Sequence, residues 1–157
     1  MFLEEIRGIG TRERHARLLL DSYDRLIGKP LLSLAPDQNA AEALERTHLV
    51  VLSHDTAPDP VLNYGNPRAL ELWEMSWESF TSTPSRLTAE PLEREAREQF
   101  LQQVHTRGFV DDYTGIRIAK SGRRFYIQQA TVWNLIDEQG RRWGQAAAFP
   151  EYTYLTE

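Results

Sequence analysis

An α+β domain, one antiparallel sheet with helices packed on it, is the fold that three features of this 157-residue sequence predict. The segment "RIAKSGRRFYIQQATVWNLIDEQGRRWGQAAAF" (117–149) has the pattern of strands and contains two tight-turn signals, "KSG" and "DEQG". Two shorter apolar runs, "HLVVLSHDT" (48–56) and "VLNYG" (61–65), supply earlier strands. Helical patterns stand before and between these groups, so five strands suited to antiparallel pairing flank a helical stretch.

In chain order, Thr11 is placed to cap a helix reaching about Ile27, with Ala16, Leu19, Leu20, Tyr23, Leu26 and Ile27 as its apolar stripe. Gly28 and Pro30 end it. The segment "NAAEALERT" makes a short helix. Asn66 followed by Pro67 is a cap and a first helical residue, opening a helix that puts Ala69, Leu70, Trp73 and Trp77 on one side. Residues 78–91, rich in Ser, Thr and Pro, are irregular. Pro91 then opens a helix with apolar positions Leu92, Ala96, Phe100, Leu101 and Val104, closed by Gly108. Strands follow over about 109–119, 124–136 and 142–151.

Composition narrows the function. The net charge of −5, from 18 basic and 23 acidic residues, offers no basic face for nucleic acid. With no cysteine there is no disulfide, no thiol nucleophile and no Cys-ligated metal. The start "MFLEEIRGIG" lacks a signal-peptide pattern and no apolar run is long enough to span a membrane, so the expected location is cytoplasmic.

Strict alternation along 124–136 puts Phe125, Ile127, Gln129, Thr131, Trp133 and Leu135 on one face. The last strand adds Trp143, Gln145, Ala147 and Phe149 to that face, and leaves Ala130, Ala146 and Ala148 as a flat surface for the N-terminal helix. Polar side chains on the core face need partners, because a buried amide left unsatisfied costs roughly 1–3 kcal/mol. Either an internal hydrogen-bond network or a ligand pocket meets that need.

The order of "VLNYGNPRALELW", "DYTGIRIAKSGRRFYI" and "LIDEQGRRWGQAAAF" resembles a PAS sensor domain over roughly residues 44 to 152, with Tyr64-Gly65-Asn66, Lys120-Ser121-Gly122 and Asp137-Glu138-Gln139-Gly140 at the recurring turns. The segment "PSRLTAEP" (84–91), supported by "DDYTGIRI", "ATVWNLID" and "GQAAAF", resembles the MEKHLA family, PAS-like domains found alone in bacteria and at the C-termini of plant class III homeodomain–leucine-zipper proteins. The resemblance implies a PAS-like, five-stranded antiparallel sheet with helices on its concave face, and a sensing or interaction role without catalytic residues. It divides the chain into an N-terminal helical flank (1–43), the PAS-like domain (44–152) and a tail (153–157). By resemblance to flavin-binding PAS domains aligned on "KSGRRF", Arg117 lies on the concave face, with Tyr113 as its neighbour.

The expected ligand-binding set is therefore Arg117, Gln129, Gln145, Tyr113, Trp133, Thr131, Trp73 and Arg86, with Arg117 and Arg86 orienting a small anionic or aromatic ligand. Under the internal-network alternative, Arg117 pairs with Asp112 or Glu74. No cofactor is expected: light-oxygen-voltage photochemistry needs a cysteine, and His105, the candidate haem ligand, reads better as a charge near a helix C-terminus. His15, His48, His54 and His105 lack metal-ligand spacing, and "SHDTAPDP" reads as a polar strand end and turn. The functional expectation is a stand-alone, non-enzymatic sensory or ligand-binding module, dimerising through its leading helix and outer sheet face. Its alternatives are an interaction module with a self-filled core, and a small enzyme using Arg117 with Asp112 or Glu74.

Overall fold

The computed structural model describes residues 5–6 and 9–155. Two short strands, β1 (Glu5–Ile6) and β2 (Gly10–Thr11), pair with each other ahead of helix α1 (Arg12–Ile27). Then follow α2 (Ala40–Arg46), β3 (Val50–His54), β4 (Leu62–Gly65), α3 (Pro67–Trp73), α4 (Trp77–Phe80), a 3-10 turn (Ser85–Thr88) and α5 (Pro91–Arg107). Four strands complete the chain: β5 (Phe109–Ile118), β6 (Arg124–Ile136), β7 (Arg142–Phe149) and β8 (Glu151–Tyr154). The antiparallel sheet has the order β4-β3-β7-β6-β5, and β8 continues along β6 beyond β7. It thus has one strand more than the five expected, because Pro150 interrupts the last strand.

The helix boundaries follow from local chemistry. The Thr11 hydroxyl accepts from the Arg14 N–H, and Gly28, at φ 92°, closes α1 in the left-handed conformation that glycine tolerates best. Asn66 does more than cap α3. Its Oδ1 accepts from the N–H groups of Ala69 and Val51, and its Nδ2 donates to the carbonyls of Leu44 and Leu49. Wholly buried, this one amide ties α2, β3 and α3 together. Trp77 falls in α4 rather than on α3, since α3 stops at Trp73 with Glu74 at φ 62°.

Each face of the sheet carries a core. On the outer face α1 lays Ala16, Leu19 and Tyr23 over Trp133, Leu135, Ala146 and Ala148. Small side chains there admit the helix closely enough for the Trp133 indole N–H to donate to the Leu19 carbonyl at 3.1 Å. The inner face packs Trp73, Phe80, Phe125, Ile127 and Phe149 beneath α3 and α4. A continuous strand cannot put Ile127 inside and Trp133 outside, six residues apart, because side chains two apart share a face.

A bulge supplies the switch. Between the pairs Tyr113↔Ala130 and Gly115↔Ile127, β6 spends one residue more than β5, and Gln129 sits at φ 56°. An opposite bulge on β5, where Asp112 is at φ 58°, restores the register before Val110 meets Val132. Beyond Gln129 the two sides of β6 therefore exchange: Ala130, Val132 and Asn134 turn inward, while Thr131, Trp133 and Leu135 turn to the α1 side. The expectation that Gln129, Thr131 and Trp133 share the inner face with Phe125 is corrected accordingly. Gln129 is exposed at the bulge. A second irregularity at Gly144 (φ 142°) sends Trp143 to the outer side, where its indole N–H donates to Asp137. A side chain at position 144 would stand 2.0 Å from the His54 carbonyl oxygen, so only glycine fits.

In α5, Ala96 is exposed and Arg97 is buried in its place, in phase with Phe100, Leu101 and Val104. The side chain of Leu92, expected in the same stripe, lies outside the described residues. Replacing Asn66 by leucine is expected to cost about 2–4 kcal/mol, the loss of a helix cap plus unsatisfied buried carbonyls, measured as a fall in the urea midpoint. Asn66→Asp, which keeps the cap and loses both donors, should recover only part of that stability.

Candidate functional site

Between the inner sheet face, α5 and the 3-10 turn lies a cavity of about 60 Å³. Leu52, Leu62, Trp73, Ile127 and Phe149 form its apolar walls, and His54, Ser85, Arg97, Tyr113, Arg117 and Gln145 bring polar atoms to it. Of the expected ligand-binding residues, Arg117, Gln145, Tyr113 and Trp73 are thus brought together. Gln129, Thr131 and Trp133 are not, because of the bulge.

Arg117 comes from β5 and is 8% exposed. Its guanidinium donates to the Ile116 carbonyl at 2.8 Å and to the Tyr113 hydroxyl at 3.2 Å. Tyr113 folds back along its own strand, over Gly115, and stacks on Phe100 with ring centroids 3.8 Å apart. A Cβ at position 115 would stand 2.5 Å from the Tyr113 oxygen, so glycine there is what lets the ring reach Arg117. Neither Asp112 nor Glu74 pairs with Arg117. Asp112 is exposed on the β5 bulge, and Glu74, also exposed, accepts from the Ser121 N–H. The arrangement required by the enzyme alternative, Arg117 with one of those carboxylates, is not assembled.

Arg97 is the second guanidinium, also 8% exposed, and its Nη2 bonds the Ser85 hydroxyl. Burial, then the proximity of Arg117, pushes its pKa down to about 10. Among the described residues, no carboxylate pairs with Arg97 or Arg117. Within "PSRLTAEP" it is Ser85 and Thr88 that line the cavity. Arg86 points out and pairs with Asp59 at 3.2 Å. Arg86 instead lines an open cleft of about 470 Å³, which shares His54, Arg97, Leu101 and Gln145 with the inner cavity and adds Arg142. The four shared residues place the cleft directly beside the cavity. His105, considered above for haem, lines this cleft and not the inner cavity, and no cluster of three or more potential metal ligands exists among the described residues.

The amide question divides. Gln145 is satisfied internally: its Nε2 donates to the Leu101 carbonyl and to Asn134 Oδ1, both at 3.1 Å. Asn134 in turn donates to the carbonyls of Val104 and His105, fastening the end of α5 to the sheet. Two other polar atoms in the cavity walls have no partner, Nε1 of Trp73 and Nε2 of His54. The His54 Nδ1 stands 2.9 Å from the Asp55 carbonyl, which can only accept. Nδ1 therefore carries the proton, and Nε2 presents a bare lone pair.

Reasoning from sequence alone missed Arg97 and Ser85, and read His54 only as part of a polar strand end. Arg97 could have been found from its spacing of three, four and seven residues to Phe100, Leu101 and Val104, which puts it on the helix's buried side.

Two predictions follow from this geometry. Gly115→Ala should displace Tyr113 and raise the accessibility of Arg117, read as faster modification of Arg117 by phenylglyoxal with an unchanged far-UV spectrum. Burial pushes both His15 and His54 from 6.5 down to about 4. The unfolded chain then binds more protons than the folded one between those values, so stability falls as pH drops from about 6.5 to about 4, by up to about 3 kcal/mol per histidine. Urea titrations across that range should show a slope near two protons, reduced to about one in His15→Gln.

Comparison with known proteins agrees with the architecture. The PAS domain of a protein from Colwellia psychrerythraea superposes with a TM-score of 0.61 at 15% identity, covering 74% of this chain and 93% of its own. A light-oxygen-voltage domain studied with a flavin analogue gives 0.60 at 17% identity, covering 77% and 87%. A fungal LOV photoreceptor gives 0.54 at 16%, covering 83% and 86%. A search of curated proteins finds no match. The MEKHLA domain model matches residues 13–154, from the first turn of α1 to the end of β8. The expectation of a non-enzymatic sensory domain agrees with that match, and the chain belongs to the MEKHLA domain family, built on the PAS fold.

Proposed function

We propose that this chain is a ligand-binding sensory module whose inner cavity takes a small anion. The observation that carries the reading is the pair of guanidiniums, Arg97 and Arg117, both buried in the cavity wall and neither in an ion pair with a carboxylate among the described residues, with Glu98 near Arg97 offsetting only part of its charge. Leaving a buried charge unpaired costs several kcal/mol, a cost that an incoming anion relieves. Along the cleft, Arg86 and Arg142 are balanced by Asp59 and Glu98, so Arg97 is the excess cation among its arginines and carboxylates.

The cavity's size limits the ligand. At about 60 Å³ it falls far below the roughly 300–1,000 Å³ of sites for drug-sized ligands, so a flavin or haem does not fit beside Trp73 and Phe149. The same filling by aromatic side chains favours a second reading, an interaction module whose core needs no ligand.

Strand β3 connects the cavity to the outer face. Leu52 and His54 line the cavity, while Ser53 between them donates to Asn63 Oδ1 at 2.6 Å and sits 3.0 Å from His15 Nε2 of α1. A ligand that favours one position of β3 shifts the seating of α1, provided its affinity differs between the two packings. Because α1 covers the outer sheet face of its own chain, the contact offered to a second copy or to a partner is the exposed side of α1, with Arg14, Arg17, Asp21 and Arg25. We place homodimerisation there.

Thermal unfolding in matched ionic strength tests the reading. A small carboxylate near 100 times its Kd should add about 2.7 kcal/mol and raise the midpoint by a few degrees over chloride, and Arg117→Met should abolish the difference. Light scattering on the same samples should show the monomer–dimer balance moving with ligand. Equal midpoints in every anion, with no retained small molecule in native mass spectra, would favour the self-filled module.

A further inference from the structure

The cavity makes demands beyond negative charge. His54 is 7% exposed, and its Nε2 lone pair is bare because Nδ1 is committed to the Asp55 carbonyl. A simple carboxylate has no hydrogen to offer that lone pair, and would be repelled by it. The Trp73 indole N–H lacks an acceptor on the other side of the balance. The complete set is therefore two guanidiniums, one unfilled acceptor, one unfilled donor and apolar walls from Leu52, Leu62 and Phe149. A volume of about 60 Å³ holds roughly four to six water-sized groups.

From these features we propose that the site takes a small hydroxycarboxylate, of glycolate to lactate size. Its carboxylate lies against Arg97 and Arg117, and its hydroxyl donates to Nε2 of His54. The inference rests on the anion-binding reading above and sharpens it. A plain acid of the same size leaves the imidazole lone pair unpaired, and a site built to hydrogen-bond a ligand group rejects the analogue lacking it. A neutral amide leaves the guanidiniums uncompensated. The hydroxyl is thus the selectivity element, and His54 is the residue that reads it. Entry runs through the open cleft, which shares His54 and Arg97 with the cavity.

The test is calorimetry with glycolate, lactate, acetate, bicarbonate and lactamide, alongside imidazole 15N NMR of the wild-type protein. Glycolate or lactate should bind at least about tenfold more tightly than acetate or lactamide. Only the hydroxy acids should move the His54 Nε2 resonance in the direction of an accepted hydrogen bond. His54→Phe should bring glycolate and acetate to equal affinity, and Arg97→Gln should weaken both by about tenfold. Should either variant fail to fold, the wild-type resonance decides. Acetate or lactamide matching glycolate, bicarbonate binding more tightly than either hydroxy acid, or an unmoved Nε2 resonance would overturn the proposal. If no probe binds but native mass spectra retain another small molecule, the hydroxycarboxylate is wrong and the sensing reading stands; if nothing is retained either, both fall.

Discussion

Everything on the two sheet faces depends on one residue of extra backbone in β6. With Gln129 at φ 56°, the strand exchanges its sides midway, so one chain segment supplies Phe125 and Ile127 to the inner core and Trp133 and Leu135 to the outer one. Without the bulge, Trp133 would occupy the cavity and Asn134 would face α1. Both outcomes would be costly: a tryptophan has no room inside, and the Asn134 amide would lose the α5 carbonyls it now satisfies. A left-handed conformation at a non-glycine residue costs on the order of 1 kcal/mol or more, offset here by two well-packed faces.

The inner face then separates its polar groups into two kinds. Gln145 and Asn134 face each other on neighbouring strands and bond each other and the last two turns of α5. That network is structural and self-contained. Arg97 and Arg117 belong to the other kind. Each has one hydroxyl partner, Ser85 for Arg97 and Tyr113 for Arg117, and neither forms an ion pair among the described residues. Natural cores seldom keep two neighbouring cations without compensation, and such pairs concentrate where a charge arrives from outside. The ring of Tyr113, held by Gly115 and Phe100, keeps one of these guanidiniums in place before any ligand is present, which lowers the ordering cost of binding.

Much of this was legible in the chain itself. Thr11, Gly28, Asn66-Pro67, Gly108 and both hairpin turns announce their elements through local chemistry, which needs no tertiary information. The alanines of β7 predicted the close seat of α1, the resemblance to flavin-binding PAS domains put Arg117 on the concave face, and the period of two put Tyr113 beside it. The misplaced residues of β6 share one cause. Alternation carries no mark of a bulge unless a glycine announces it, and Gln129 does not, so Gln129, Thr131 and Trp133 were assigned to the wrong side. Arg97 was hidden by residue type: Ala96 was preferred for a buried position because a charge is rarely put there. The glycine at 144 did mark a bulge, yet its effect on Trp143 shows only when His54 is seen against it.

The most direct measurement is an anomalous-scattering map from crystals grown in bromide. The account predicts a bromide in the inner cavity in contact with the guanidiniums of both Arg97 and Arg117, with Trp133 on the α1 side of the sheet. A protein carboxylate against either arginine, or both guanidiniums turned to bulk solvent with the cavity closed behind them, would contradict it.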